Sequence, residues 1–142
     1  MSLDELLKAG TIKRVKRNKR LIEKNLEKAY HDIEVSQKLL ELKEFDWAYT
    51  SAYTGMLVAA RGYMNSKGYR PSSGEGHVAV VRFLEAQGSG SLLKRFVNIF
   101  DRMRRNRHRV MYDDYDLITR NVARQGYEWA LEFVDTIVGM IE

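Results

Sequence analysis

The chain has 142 residues, 44% of them hydrophobic, with a formal net charge of +5, a single proline and no cysteine. That length suits one domain with a real core rather than two. The missing cysteines exclude disulfides, thiolate metal ligation and a cysteine nucleophile. No apolar run approaches the ~18 residues of a membrane span, and no apolar segment follows the N-terminus as in a secretory leader, so a cytoplasmic protein is expected. The positive balance favours a polyanionic partner, a matter of attraction and not of fold.

Ser2 followed by Glu5 is a capping-box signature for a short helix from about Leu3 to Lys8, which Gly10 ends. The next ten residues, TIKRVKRNKR, hold six basic side chains. Their apolar members Ile12 and Val15 continue to Ile22, Leu26, Ile33 and Leu40 at near-helical intervals, which predicts one long helix from about Thr11 to Leu42. The basic run reads either as a phosphate-tracking surface or, more ordinarily for a charge run, as a solvated helix start.

Phe45, Ala48, Tyr49, Ala52, Tyr53, Met56, Ala59, Ala60 and Tyr63 mark a third helix, from about Glu44 to Ser66, whose alanines allow close helix approach. Gly68 is a reasonable stop, and GYRPSSGEG is the one proline- and glycine-rich loop. A fourth helix is expected from about Glu75 to Ala86, with Val78, Val81 and Leu84 or Phe83 inward. His77 stands at its start, where a lone histidine is more often a local hydrogen-bonding residue than a ligand. Glu75 and His77 alone are a weak metal pair, and no metal centre is expected.

After the linker QGSGS, Ser91 is a plausible N-cap for the fifth helix. Along LLKRFVNIFDRMRRNRHRVMYDDYD, Leu92, Phe96, Ile99, Phe100, Met103, Val110 and Met111 form one apolar stripe at about 100° per residue. Arg107 falls inside that stripe. A guanidinium keeps its proton, so a core-facing one must find an anion or bear a large desolvation cost. Arg102, Arg104, Arg105 and Arg109 surround it without an intervening acid, and His108 and Tyr112 are neighbours one turn apart. A sixth helix, about Leu117 to Ile141, has the stripe Ile118, Val122, Trp129, Phe133, Ile137 and Met140, flanked by Ala130, Val134 and Ile141. No strand-like alternation and no repeat is visible. The expectation is all-α: an antiparallel up-and-down bundle of four to five main helices plus a short N-terminal one, in a single domain over residues 1–142 with a basic extension at about 1–20.

Glycine-rich phosphate loops and nucleophile elbows are absent from the sequence, which leaves the arginines. Arg107 pairs either with a phosphate, to which its donor fork is suited, or with Asp113, Asp114 or an acid of another helix in a structural ion pair. The residues alone leave these two open.

The helix order, the motif RHRVMYDD late in the next-to-last helix, the segments AYTSAYTGMLVAARGYMNSKGYRP and GEGHVAVVRFL, and the closing YEWALEFVDTIVGMI resemble HEPN-domain proteins. These are small helical bundles, often encoded beside a minimal nucleotidyltransferase. The family's active motif is an arginine, commonly followed by a polar residue, with a histidine some four to six residues on. Two registers fit imperfectly: Arg107 with His108 as the polar residue and Tyr112 in the histidine's place, or Arg102 with His108. The first puts the arginine on the inward stripe. In catalytic relatives two subunits pair so that both motifs line one cleft and cut RNA without metal. The resemblance implies that the arginine stabilises the scissile phosphate and the histidine moves the 2′-hydroxyl proton. Tyrosine ordinarily titrates near ~10 and is a poor base at neutral pH. Hence the expectation: a homodimer binding RNA or nucleotide phosphates, with weak or no catalysis and no cofactor. The alternatives are a metal-independent endoribonuclease acting as the toxin of a toxin–antitoxin pair, and an interaction module whose arginines form structural ion pairs. Arg107, His108 and Tyr112 are the candidate catalytic residues, and Arg102, Arg104, Arg105 and Arg109 the candidate phosphate-binding ones.

Overall fold

The computed structural model describes all residues except 74, 75, 88–90, 114, 115 and 142, and the backbone alone at 91 and 92. Among the described residues six helices enclose one core, and a pair of three-residue strands forms a ribbon at its side. The first helix, α1 (Leu3–Lys8), starts as the capping box requires: Ser2 Oγ accepts from the Glu5 amide at 3.2 Å, and the Glu5 carboxylate accepts from the Ser2 amide at 3.3 Å.

The single long helix expected from Thr11 is wrong over its first two turns. Ile12–Arg14 is a strand, β1, and α2 spans Lys19–Glu41. The break comes from Asn18, which is extended and accepts from the Leu21 amide through Oδ1 at 3.1 Å, capping α2. Its own amide donates to Asn65 Oδ1 at 2.8 Å, which fastens the start of α2 to the far end of the next helix. β1 pairs antiparallel with β2 (Tyr69–Pro71) in the register Ile12–Pro71, Lys13–Arg70, Arg14–Tyr69. Tyr69–Pro71 lies in the segment expected to be loop. Gly68, at φ +89°, makes the turn into β2 that a side chain would strain. Leu6 and Ile12 are fully buried, so the N-terminal segment is tied into the core rather than trailing from it.

The central helix is α3 (Phe45–Ser66), close to its expected bounds and buried on nearly every side. It packs most extensively against α2 and α6 (Arg120–Ile141). Gly55 lets α2 approach so closely that a Cβ there would lie 3.0 Å from the Ala29 carbonyl oxygen. Ser36 and Ser51 bridge the two helices through 2.7 Å bonds to the carbonyls of Ala48 and Asp32. On the other side a Cβ at Gly126 would come within 2.9 Å of the Tyr49 ring. This close packing rotates α6 from its expected orientation. Ala123, Gly126, Ala130, Phe133, Val134 and Ile137 face inward, whereas Val122 is exposed and Trp129 and Met140 are half-buried. Counting large apolar residues missed a helix face built on small ones.

Helix α4 (His77–Gln87) buries Ala79, Val80, Val81, Phe83 and Leu84, and leaves Val78, expected inward, 50% exposed. Glu75, the expected first residue of α4, lies outside the described residues. Ser91 is the first helical residue of α5 (Ser91–Tyr112) rather than the residue before it. Leu93, Phe96, Phe100 and Met103 seat the first half of α5, with Phe96 and Phe100 against Phe133 at ring-centroid distances of 5.3 and 6.0 Å. After Met103 the stripe weakens: Val110 is half-buried and Met111 exposed. The Asp46 carboxylate accepts from the amides of Asp116 and Ile118 at 2.5 and 2.9 Å, tying the connection between α5 and α6 to the start of α3.

Candidate phosphate-binding cleft

The second half of α5 runs beside the start of α4, and the two helices enclose a cleft of about 330 Å³ lined by His77, Arg104, Arg107, His108 and Tyr112. Periodicity puts Arg107 one turn beyond Met103, so the residue that leaves the core stripe is the one that faces the cleft. Arg107 is half-buried, and its Nε is shut off from solvent with no hydrogen-bond partner. A buried donor left unmade costs roughly 1–3 kcal/mol, more when charged. Among the described residues no carboxylate pairs with Arg107. Asp113 makes no ion pair, and Asp114 lies outside the described residues. Among the described residues, then, Arg107 is in no structural ion pair.

The neighbouring arginines differ. Arg104 is held by Asp101, with Nε 3.0 Å and Nη2 2.9 Å from its Oδ1. Asp101 also lies 3.6 Å from Arg105 Nε. Both charges are thus partly compensated along one helix face, and only Arg104 of the two lines the cleft. Arg102 and Arg109 are exposed and outside the lining. Of the two motif registers, the one built on Arg107 has all three of its members in the cleft, and the one built on Arg102 has only His108 there.

His108 and Tyr112 stack loosely, ring centroids 4.8 Å apart, as residues one turn apart on a helix do. His77 is placed differently. The buried Tyr53 hydroxyl shares a 2.7 Å hydrogen bond with its Nδ1, and the two rings lie nearly parallel at 5.6 Å. Tyr53 in turn packs on Phe100 at 5.2 Å, so the core itself sets the angle of this imidazole. The sequence favours a local bonding role for His77 over a ligand-binding one; in the structure it both bonds locally and lines the cleft. No spacing rule links it to Arg107, since the two sit on different helices. A similar anchor runs from α5 to α3: Asn106 Nδ2 donates to the Tyr49 hydroxyl at 3.1 Å. Burial pushes the Tyr49 pKa up against the lowering effect of that bond, so the phenol stays neutral.

No group of three histidine, aspartate or glutamate side chains suited to a metal gathers among the described residues. No described helix is long and apolar enough to cross a membrane.

No protein of curated function matches the chain. The family model for the HEPN domain matches residues 22–141, from the first turn of α2 to the end of α6 and including the whole cleft. A family match of that extent, over a helical bundle of this architecture, makes the chain a member of the HEPN-domain family.

Proposed function

We propose that the protein binds RNA or nucleotide phosphates in the α4–α5 cleft through Arg107, as a homodimer, with weak or no catalysis. The observation that carries this reading is the half-buried Arg107 guanidinium, whose Nε is desolvated and unpartnered and which meets no acid among the described residues. Phosphate oxygens match the guanidinium fork in charge and geometry. Arg104 adds a second cation, and the cleft volume falls in the range of small-ligand sites. Pairing of two copies is supported by exposed apolar side chains on elements that meet at one end of the bundle: Trp47 of α3, Met111 and Tyr112 of α5, and Val122 of α6. A small nucleotidyltransferase encoded alongside would be the natural further partner for a protein of this family.

A second reading, metal-independent RNA cleavage as a toxin, is favoured by one feature. His77 and His108 both line the cleft that holds Arg107, and two imidazoles near a guanidinium supply a general base, a general acid and a charge clamp. Incubating labelled RNA in EDTA with wild type, Arg107→Ala, His77→Asn and Tyr112→Phe separates the two. The binding reading predicts little cleavage, with salt-sensitive RNA affinity that falls in Arg107→Ala. Cleavage lost with Arg107 and His77 but kept in Tyr112→Phe would establish the nuclease. Wild-type stability with unaltered RNA affinity in Arg107→Ala would sink both.

A further inference from the structure

The β-ribbon joins two stretches that are remote in sequence and both free of acids, residues 11–22 and 61–73. Lys13, Arg14, Lys16, Arg17, Lys19, Arg20, Lys67 and Arg70 from these stretches are all exposed, and none forms an ion pair with a described acid. Their eight charges exceed the net +5 of the whole chain, so the remaining surface is net acidic. The register sets Lys13 directly opposite Arg70 on the outward face, away from the buried Ile12. Like charges facing each other across strands destabilise a ribbon. Arg70 Nη1 donates to the Pro71 carbonyl at 2.9 Å, but no described acid pairs with either charge, whereas a bound polyanion would turn the repulsion into attraction.

The ribbon is also continuous with the arginine cleft. A second depression of about 500 Å³ is lined by Thr11 and Ser72 at the end of the ribbon and by His77 at the start of α4. His77 lines both depressions. The two buried side-chain polar atoms left without a partner among the described residues, Ser72 Oγ and Arg107 Nε, lie one in each. From these observations we infer that ribbon, Ser72 depression, His77 and Arg107 cleft form one track for a polynucleotide strand. The ligand is then a chain several phosphates long rather than a mononucleotide. The inference rests on the phosphate-binding reading of the cleft. The ribbon exposes no large apolar side chain, with Ile12 buried and Val15 and Tyr69 half-buried, which suits a phosphodiester backbone better than a lipid bilayer.

The test is fluorescence anisotropy of the full chain with a labelled RNA dinucleotide and a labelled single strand of roughly twelve nucleotides. Wild type is compared with Arg107→Ala and with two ribbon variants, Lys13→Ala/Arg70→Ala and Lys16→Ala/Arg17→Ala, all checked for wild-type melting. Losing two phosphate contacts should weaken binding of the long strand about tenfold and lower its salt slope by about 1.4. The dinucleotide, held in the cleft, should lose affinity only in Arg107→Ala. Loss for both lengths alike in the ribbon variants, or for neither, overturns the track while leaving the cleft reading intact. Unchanged dinucleotide binding in Arg107→Ala defeats the cleft reading and the track together. Binding to phosphatidylserine vesicles without binding to the long strand also overturns it.

Discussion

Helices α3 and α5 are both 22 residues long and are used in opposite ways. In α3, 15 of the 22 residues are buried, and the buried Thr50 and half-buried Ser51 turn their hydroxyls back to backbone carbonyls. In α5 the buried side chains stop at Met103, and every residue from Arg104 to Tyr112 keeps some contact with solvent. A helix apolar all round has no choice but the interior. A helix whose stripe is interrupted by an arginine can leave the core halfway along, and the place where it leaves becomes a cleft wall. The difference teaches that α3 is scaffold, and on the proposed reading the second half of α5 is the working surface, so changes in the two should read out in different assays.

The largest effect is expected at the junction of the two. Phe100 is fully buried between Tyr53 and Phe133. Phe100→Ala should cost about 3–5 kcal/mol in a denaturant titration, as other buried phenylalanine truncations do. It should also disturb the cleft, because Phe100 backs the tyrosine that holds His77. A smaller effect comes from the close approach of α6 to α3. Gly126→Ala forces a methyl against the Tyr49 ring and Met103 Cε, 2.9 and 3.1 Å from the new carbon, and should cost about 1–3 kcal/mol. Gly139→Ala, on the same helix with nothing within 4 Å, should be neutral or stabilise by at most about 1 kcal/mol. A loss at Gly139 as large as that at Gly126 would mean that the close approach to the Tyr49 ring does not set the requirement for glycine.

The smallest effect concerns the exposed pair Arg95–Glu132, which links the first half of α5 to α6. The hydrogen bonds from Arg95 hold the Glu132 carboxyl below its ordinary pKa. A carboxyl lowered by folding stabilises above its unfolded pKa, and that contribution is lost as pH falls through the folded value. Arg95→Met should therefore lower Tm slightly at neutral pH, and the gap from wild type should close in acid. Both groups are solvated, so the gap should shrink with salt as well.

Much of this division was legible in the sequence. The capping box of α1, the bounds of α3 and the position of Arg107 inside an apolar stripe follow from spacing and local hydrogen bonding, which a sequence carries directly. What was not legible depended on partners far along the chain. Asn18 looks like any polar residue of a basic helix until Asn65 is placed against its amide. Tyr69–Pro71 is a strand only because β1 lies beside it. His77 reaches the cleft through Tyr53, 24 residues earlier, and no periodicity reports that. The orientation of α6 failed for a related reason: Gly126 and Ala130 decide it, and small residues carry little weight in an apolar pattern.

The most direct test of the central claim is to measure Tm and phosphate or RNA affinity together for Arg107→Ala and Arg107→Lys. If the second half of α5 serves a ligand and not the fold, both variants should melt within about 2 °C of wild type, less than a ~1 kcal/mol change would produce in a domain of this size. Affinity should fall in both, since an ammonium does not restore a two-pronged contact. A marked drop in Tm with affinity retained would contradict the account and make Arg107 a structural residue.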